Sequence, residues 1–144
     1  MELRELMVSQ NFKRIPLKKL ATGHYKISAV INKVPGDFII DTGASSTCVA
    51  FASSTYFNIS HEVSLVKAAG AGASGMDTHI SKNNTLLIRD RNFKNFTLII
   101  FDLTHVNNAL MEVQEPPIHG IFGSDLLKKC RAVIDYGRNC MYIK

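Results

Sequence analysis

Phe38-Ile39-Ile40-Asp41-Thr42-Gly43-Ala44-Ser45 places a carboxylate directly after a wholly apolar strand and ahead of residues able to make a tight turn. Apolar packing fixes such a strand. Gly43 removes a side chain where another backbone or a substrate approaches, and Thr42 offers a hydroxyl that can tie the loop to a neighbour. The stretch predicts an immobilised carboxylate at the mouth of a core.

Strand signals lie on both sides of it. Upstream, Tyr25, Ile27, Ala29 and Ile31 alternate with Lys26, Ser28 and Asn32, the period of a half-buried strand. Asn32–Asp37 reads as the connection between that strand and Phe38–Ile40, with Pro35-Gly36 its strong turn signal. Downstream, a short strand or turn is expected around Thr47–Phe51, a helical turn near Ser53–Phe57, and strands at Glu62–Ala68, Asp77–Ser81, Thr85–Ile88 and Phe96–Phe101, with a polar turn at Arg89–Asn92. Asp102–Asn107 reads as a loop or brief helical turn. Ser124 or Asp125 can cap a short helix, Leu126–Cys130. Strands at Ala132–Asp135 and Cys140–Ile143 close the chain across Tyr136–Asn139.

A second stretch bears on the first. His119-Gly120-Ile121-Phe122-Gly123-Ser124-Asp125-Leu126-Leu127 joins an apolar pair to a glycine and then to the helix start. Ile39 through Ala44 resembles the catalytic signature of aspartic proteases of the pepsin and retroviral-protease superfamily: a hydrophobic pair, Asp, Thr or Ser, Gly, then Ala or Ser. The segment at 119–127 resembles that family's downstream hydrophobic-hydrophobic-Gly strand and the short helix after it. The resemblance implies that Asp41 is the catalytic aspartate and that Thr42 reaches the opposite active-site loop, with Gly43 and Ala44 completing the turn. It also implies that Ile121 and Phe122 form the apolar support beneath Asp41 and that Gly123 lets the chains cross closely.

Ala132–Gly137 with Met141–Ile143 resembles the family's terminal hairpin. Ile134-Asp135-Tyr136-Gly137 superficially repeats the first motif, but Tyr136 replaces the small hydroxyl residue, so Asp135 is read as a structural turn residue. Gly70, Ala71, Gly72, Ala73, Ser74 and Gly75 stand where the family places its flap. They suit either a hairpin closing over a cleft or a surface loop, and no distinctive flap tip aligns; a cover near Asp102–Met111 is the other option.

Across Tyr25–Ile143 the arrangement resembles the small, single-motif bacterial relatives of the retroviral proteases. The fold so implied is all-β, a closed or partly open β-barrel of the retropepsin-like acid protease type with one short C-terminal helix. Residues 1–22, with a weakly helical opening and a break at Pro16, are expected as an N-terminal extension to a protease domain at 23–144. Peptide hydrolysis needs a water activated as nucleophile and a proton supplied to the carbonyl oxygen or leaving nitrogen; one carboxylate cannot hold both roles at once, and the sequence holds one convincing motif. A homodimer pairing two Asp41 residues is therefore the expected aspartic endopeptidase, acting on an extended peptide or protein substrate with no cofactor. The alternative is a weak or inactive relative serving as a dimeric peptide-binding module. Met141-Tyr142-Ile143 is a candidate edge for pairing between copies.

The whole composition agrees with a single globular domain. The chain has 144 residues, 46% of them hydrophobic, and a formal net charge of +5. Its basic residues are dispersed in pairs rather than gathered with aromatics, which argues against a nucleic-acid footprint. No apolar run reaches membrane-spanning length. Three cysteines lack metal-ligand spacing and read as free thiols, or as one disulfide and one free thiol. His61, His79, His105 and His119 are too scattered to suggest a metal site. The absence of a visible signal peptide slightly favours the cytoplasm.

Overall fold

The structure, a computed structural model, describes residues 1–63 and 78–144. In chain order its elements begin with α1 (Leu3–Ser9), β1 (Lys13–Pro16), β2 (Lys18–Lys19), β3 (Tyr25–Ile31), β4 (Val34–Ile40) and β5 (Cys48–Ala50). They continue with β6 (Glu62–Val63), β7 (His79–Ile88), β8 (Arg91–Phe101), α2 (Thr104–Glu112), β9 (Gly120–Phe122), α3 (Ser124–Lys129), β10 (Val133–Asp135) and β11 (Cys140–Ile143).

Strands β3 and β4 make a hairpin whose turn is Asn32-Lys33, at the start of the expected 32–37 connection rather than at its Pro35-Gly36 signal. Asn32 and Lys33 take φ of 50° and 69°, the consecutive left-handed pair that matches the twist of a tight hairpin. Pro35 and Gly36 instead lie within β4, opposite Val30 and Ala29. Gly36 is there for space: a Cβ on it would stand 2.5 Å from the Phe57 ring.

Pairing runs β3–β4–β9–β5–β8–β7, and β7 returns to β3, so six strands close into a barrel. Within it β9 lies parallel to β4 on one side and antiparallel to β5 on the other. Phe38, Val49, Leu98 and Phe122 fill the interior together with Ile27, Ile31 and Leu86. Ile39, Cys48 and Ile121 point the other way, into a second apolar cluster with Leu103, Leu110 and Ile118. Successive strand residues face opposite sides, and here both sides are covered; that is why Phe38-Ile39-Ile40 carries no polar alternation.

The expectation of an all-β domain with one short C-terminal helix does not hold. Among the described residues three helices accompany the closed barrel, and α1 and α2 run seven and nine residues. The fold is mixed α/β. Helix α2 arises because the outer face of β4, β9 and β5 is apolar and must be covered, which Leu110 and Val106 do at helical spacing. Asp102 fixes its start by accepting from the Thr104 backbone N–H at 2.8 Å. In sequence this helix is disguised by Met111 and Val113, which are exposed. Helix α1 sets Met7 against Cys140 and Tyr142.

A separate three-stranded sheet has the order β1-β11-β10. Met141-Tyr142-Ile143 therefore lies in the middle strand, bonded on both sides to its own chain, and offers no free edge. The feature missing from the sequence reading was β1, whose residues 13–16 return from the far end of the chain to occupy that edge. All three cysteines are free and buried.

Candidate active site

The apolar strand β4 delivers Asp41 to a loop that is held from three directions. Its backbone N–H donates to the Phe122 carbonyl at 3.0 Å, extending the β4–β9 pairing by one bond. Its carboxylate Oδ1 accepts from the Gly43 backbone N–H at 2.9 Å. Its carbonyl accepts from Ala44 N–H at 3.2 Å and closes the turn. Asp41 remains half-exposed, and Thr42 and Gly43 are exposed, whereas Ala44 is buried. The loop thus presents a carboxylate to solvent on an immobile base.

The segment 121–123 lies directly beneath. Ile121 and Phe122 pair with Ile39 and Ile40, and the Phe122 ring stacks on Phe38 with centroids 4.4 Å apart. At Gly123 a Cβ would sit 2.7 Å from both the Ala44 and the Ser46 carbonyl oxygens, so only glycine allows this crossing. The Ser124 N–H then donates to the Ala44 carbonyl at 2.7 Å, joining the start of α3 to the Asp41 loop. The N-cap position of α3 falls on Gly123, one residue ahead of the expected Ser124 or Asp125, so the helix has no side-chain cap.

Two residues that the motif did not single out complete this support. Thr47 is fully buried; its Oγ1 donates to Asp125 Oδ1 at 2.8 Å and accepts from the Gly123 N–H at 3.1 Å. Asp125, expected only as a helix cap, spends its carboxylate on Thr47 and on its neighbour Leu126 N–H. The signal available in sequence was a threonine just ahead of a buried strand, with nothing to name its partner.

Cys48 lies close by and is chemically quiet. Burial, followed by the nearby Asp125 and Asp41 carboxylates, pushes its thiol up to about 12, so it stays protonated and is no nucleophile. Asp135 is engaged elsewhere, accepting from the Arg138 backbone N–H at 3.3 Å and facing the Arg138 guanidinium at 3.4 Å. Gly70–Gly75, where a flap was expected, lie outside the described residues. Among the described residues no group of three or more metal-ligating side chains gathers, and no helix is long and apolar enough to cross a membrane.

Comparison with known proteins agrees with this geometry. The chain shares its fold with a retropepsin-like aspartic protease from Rickettsia conorii: TM-score 0.63 at 17% identity, over 92% of this chain and 89% of that one. The protease of EIAV, solved with the inhibitor HBY-793, matches with TM-score 0.53 at 20% identity, over 76% of this chain and 90% of that one. The retroviral protease-like domain of Ddi1 from Leishmania major gives 0.55 at 14% identity, over 83% and 86%. No curated protein sequence matches. The sequence model described as "Aspartyl protease" matches residues 27–126, a span that runs from the middle of β3 to the first turn of α3 and contains both the Asp41 loop and the strand that supports it. The chain therefore belongs to the aspartyl protease family and has a retropepsin-like fold.

Proposed function

We propose that the protein is an aspartic endopeptidase whose active site is assembled from two copies of the chain, each contributing Asp41. The observation that carries this reading is the Asp41 loop itself: a half-exposed carboxylate, hydrogen-bonded to Gly43 N–H and fastened through Phe122 to a closed barrel. Rigidity of that kind suits a group that must hold a water molecule in one place during attack on a carbonyl.

The chemistry follows from pairing. Two carboxylates brought together do not both ionise, because like-charge repulsion retains one proton between them, as is established for aspartic proteases as a class. The ionised member takes a proton from water as it attacks the peptide carbonyl. The protonated member gives its proton to the carbonyl oxygen, and the tetrahedral species collapses with proton transfer to the leaving nitrogen. No side-chain ester or thioester forms. Thr42 reaches the opposite loop, and the substrate lies extended across both copies, held by backbone hydrogen bonds.

The test is cleavage of a diverse peptide library across pH, with association state measured on the same samples. Turnover by the dimer that disappears in Asp41→Asn, with dimer and fold retained, is the expected result. Unchanged turnover by pure Asp41→Asn protein overturns the assignment. Specific peptide binding without turnover identifies a non-catalytic binding module instead.

A further inference from the structure

A groove of about 370 Å³ opens where β2 meets β3 on the flank of the barrel, with Ile15, Leu17, Lys18, Lys26, Ser28 and Arg89 in its lining. Three of these side chains are cations, and no acidic residue lines it. Lys18 and Lys26 are direct partners in the β2–β3 pairing, and like charges set opposite each other on one face of a sheet repel. Lys26 is half-buried besides. Neither lysine pairs with a carboxylate of the described residues. The third cation is held in place: Arg89, just past the end of β7 at φ 56°, donates its guanidinium to the Arg14 carbonyl at 3.0 Å. Two carboxylates border the groove and are engaged elsewhere. Asp37 accepts from Ser28 Oγ at 3.1 Å, and Asp90 faces Lys13 at 3.9 Å.

Facing cations without counter-charges destabilise the free fold, and a negatively charged occupant relieves them. We propose that this groove is an accessory site that holds an acidic stretch of the protein substrate, apart from the bond to be cut; this rests on the protease reading above. Lys26 stands opposite Ile39, two residues before Asp41, so its backbone lies roughly 10 Å from Asp41, about three residues of extended chain. A run of carboxylates suits the lining better than a lone phosphate. The cations come from three separate segments of chain, β2, β3 and the end of β7, and the Ser28 hydroxyl is already given to Asp37. Ile15 and Leu17 offer an apolar surface to the methylene stems of glutamate. The contacts are charge-based and solvent-facing, so added salt screens them.

Binding is measured on Asp41→Asn protein, which leaves the probe uncut, by fluorescence anisotropy of a labelled peptide of six glutamates and of its six-glutamine counterpart. At low salt the glutamate peptide is expected to bind roughly tenfold tighter or more, and to weaken as salt is added. Replacing both lysines, Lys18→Gln with Lys26→Gln, is expected to weaken it by about fivefold or more, while the thermal midpoint stays level or rises because a repulsion has gone. The same loss of charge at Lys82→Gln with Lys94→Gln is expected to change nothing. Glutamate binding that is absent, that survives the Lys18 and Lys26 substitutions, or that falls equally in the Lys82 and Lys94 control overturns the groove. So does displacement of the peptide by inorganic phosphate at matched ionic strength, which marks a small-anion site. With Asp41 intact, the best-cleaved library peptide extended by four glutamates is expected to show a lower KM at unchanged kcat, a gain lost in the double lysine variant. Cleavage that proceeds with no such gain strikes the groove and leaves the protease reading standing. Binding at the groove with no cleavage by the dimer strikes the protease reading, and the substrate role with it.

Discussion

Thr47 and Asp125, 78 positions apart in sequence, share a 2.8 Å hydrogen bond that fastens the end of the Asp41 loop to the first turn of α3. Because the same hydroxyl also accepts from Gly123 N–H, Thr47→Val strands two polar groups at once, one of them a backbone N–H. The expected loss is about 1–3 kcal/mol of stability, read from urea unfolding, with Thr47→Ser recovering most of it. A Thr47→Val midpoint equal to that of the parent shows that the tie carries no weight.

Gly123 permits no side chain. With two carbonyl oxygens 2.7 Å from where its Cβ would be, Gly123→Ala forces β9 and the Asp41 loop apart. The expected cost is about 1–3 kcal/mol from overpacking, accompanied by loss of peptide turnover larger than the change in folded fraction explains. Calorimetry beside steady-state kinetics checks both parts.

Strands β3 and β4 and the carboxylate loop were legible because their signals are local, whereas β7, expected as two strands at 77–81 and 85–88, runs through as His79–Ile88, and β8, expected from Phe96, starts at Arg91. Tyr25–Ile31 alternates, 38–40 does not, and each pattern matches the faces those strands bury. What stayed hidden depends on distant partners. Pro35-Gly36 has strong turn chemistry, yet the Asn32-Lys33 pair takes the turn and Gly36 serves the Phe57 ring. Helix α2 exists to cover Ile39 and Ile121, residues that lie outside its own stretch of chain. The central place of β11 depends on β1, more than a hundred residues earlier. Thr47 announces no partner, so its bond to Asp125 is visible only in the fold.

Two of the three buried thiols are pushed well above their ordinary value of 9.0: burial raises Cys48 to about 12 and Cys130 to about 11. An unfolded chain releases these protons near the ordinary value, whereas the folded one keeps them. Stability is therefore expected to be insensitive to these groups below pH 9 and to fall as pH climbs from 9 toward 12. Denaturation midpoints measured over that window check the sign, and native protein is expected to resist iodoacetamide at pH 8 while unfolded protein reacts.

Lys33 sits at φ 69° in the β3–β4 turn, a conformation that costs a residue bearing a Cβ and costs glycine nothing. Lys33→Gly makes the preferred Asn-Gly hairpin turn. A gain of about 0.5–1 kcal/mol is expected, measured as a shift in thermal midpoint. A loss instead means that Lys33 makes a contribution through its side chain that outweighs the backbone relief.

Strand β9 enters between β4 and β5 after an interval of about 80 residues from Ile40 to Gly120, and pairings that distant form slowly. On the ribosome this sets an order of events. The carboxylate loop leaves the exit tunnel about 80 residues ahead of the strand that forms its floor, so Asp41 is not held in place until β9 has followed it, and a truncation before Gly120 is expected to leave the loop unsupported.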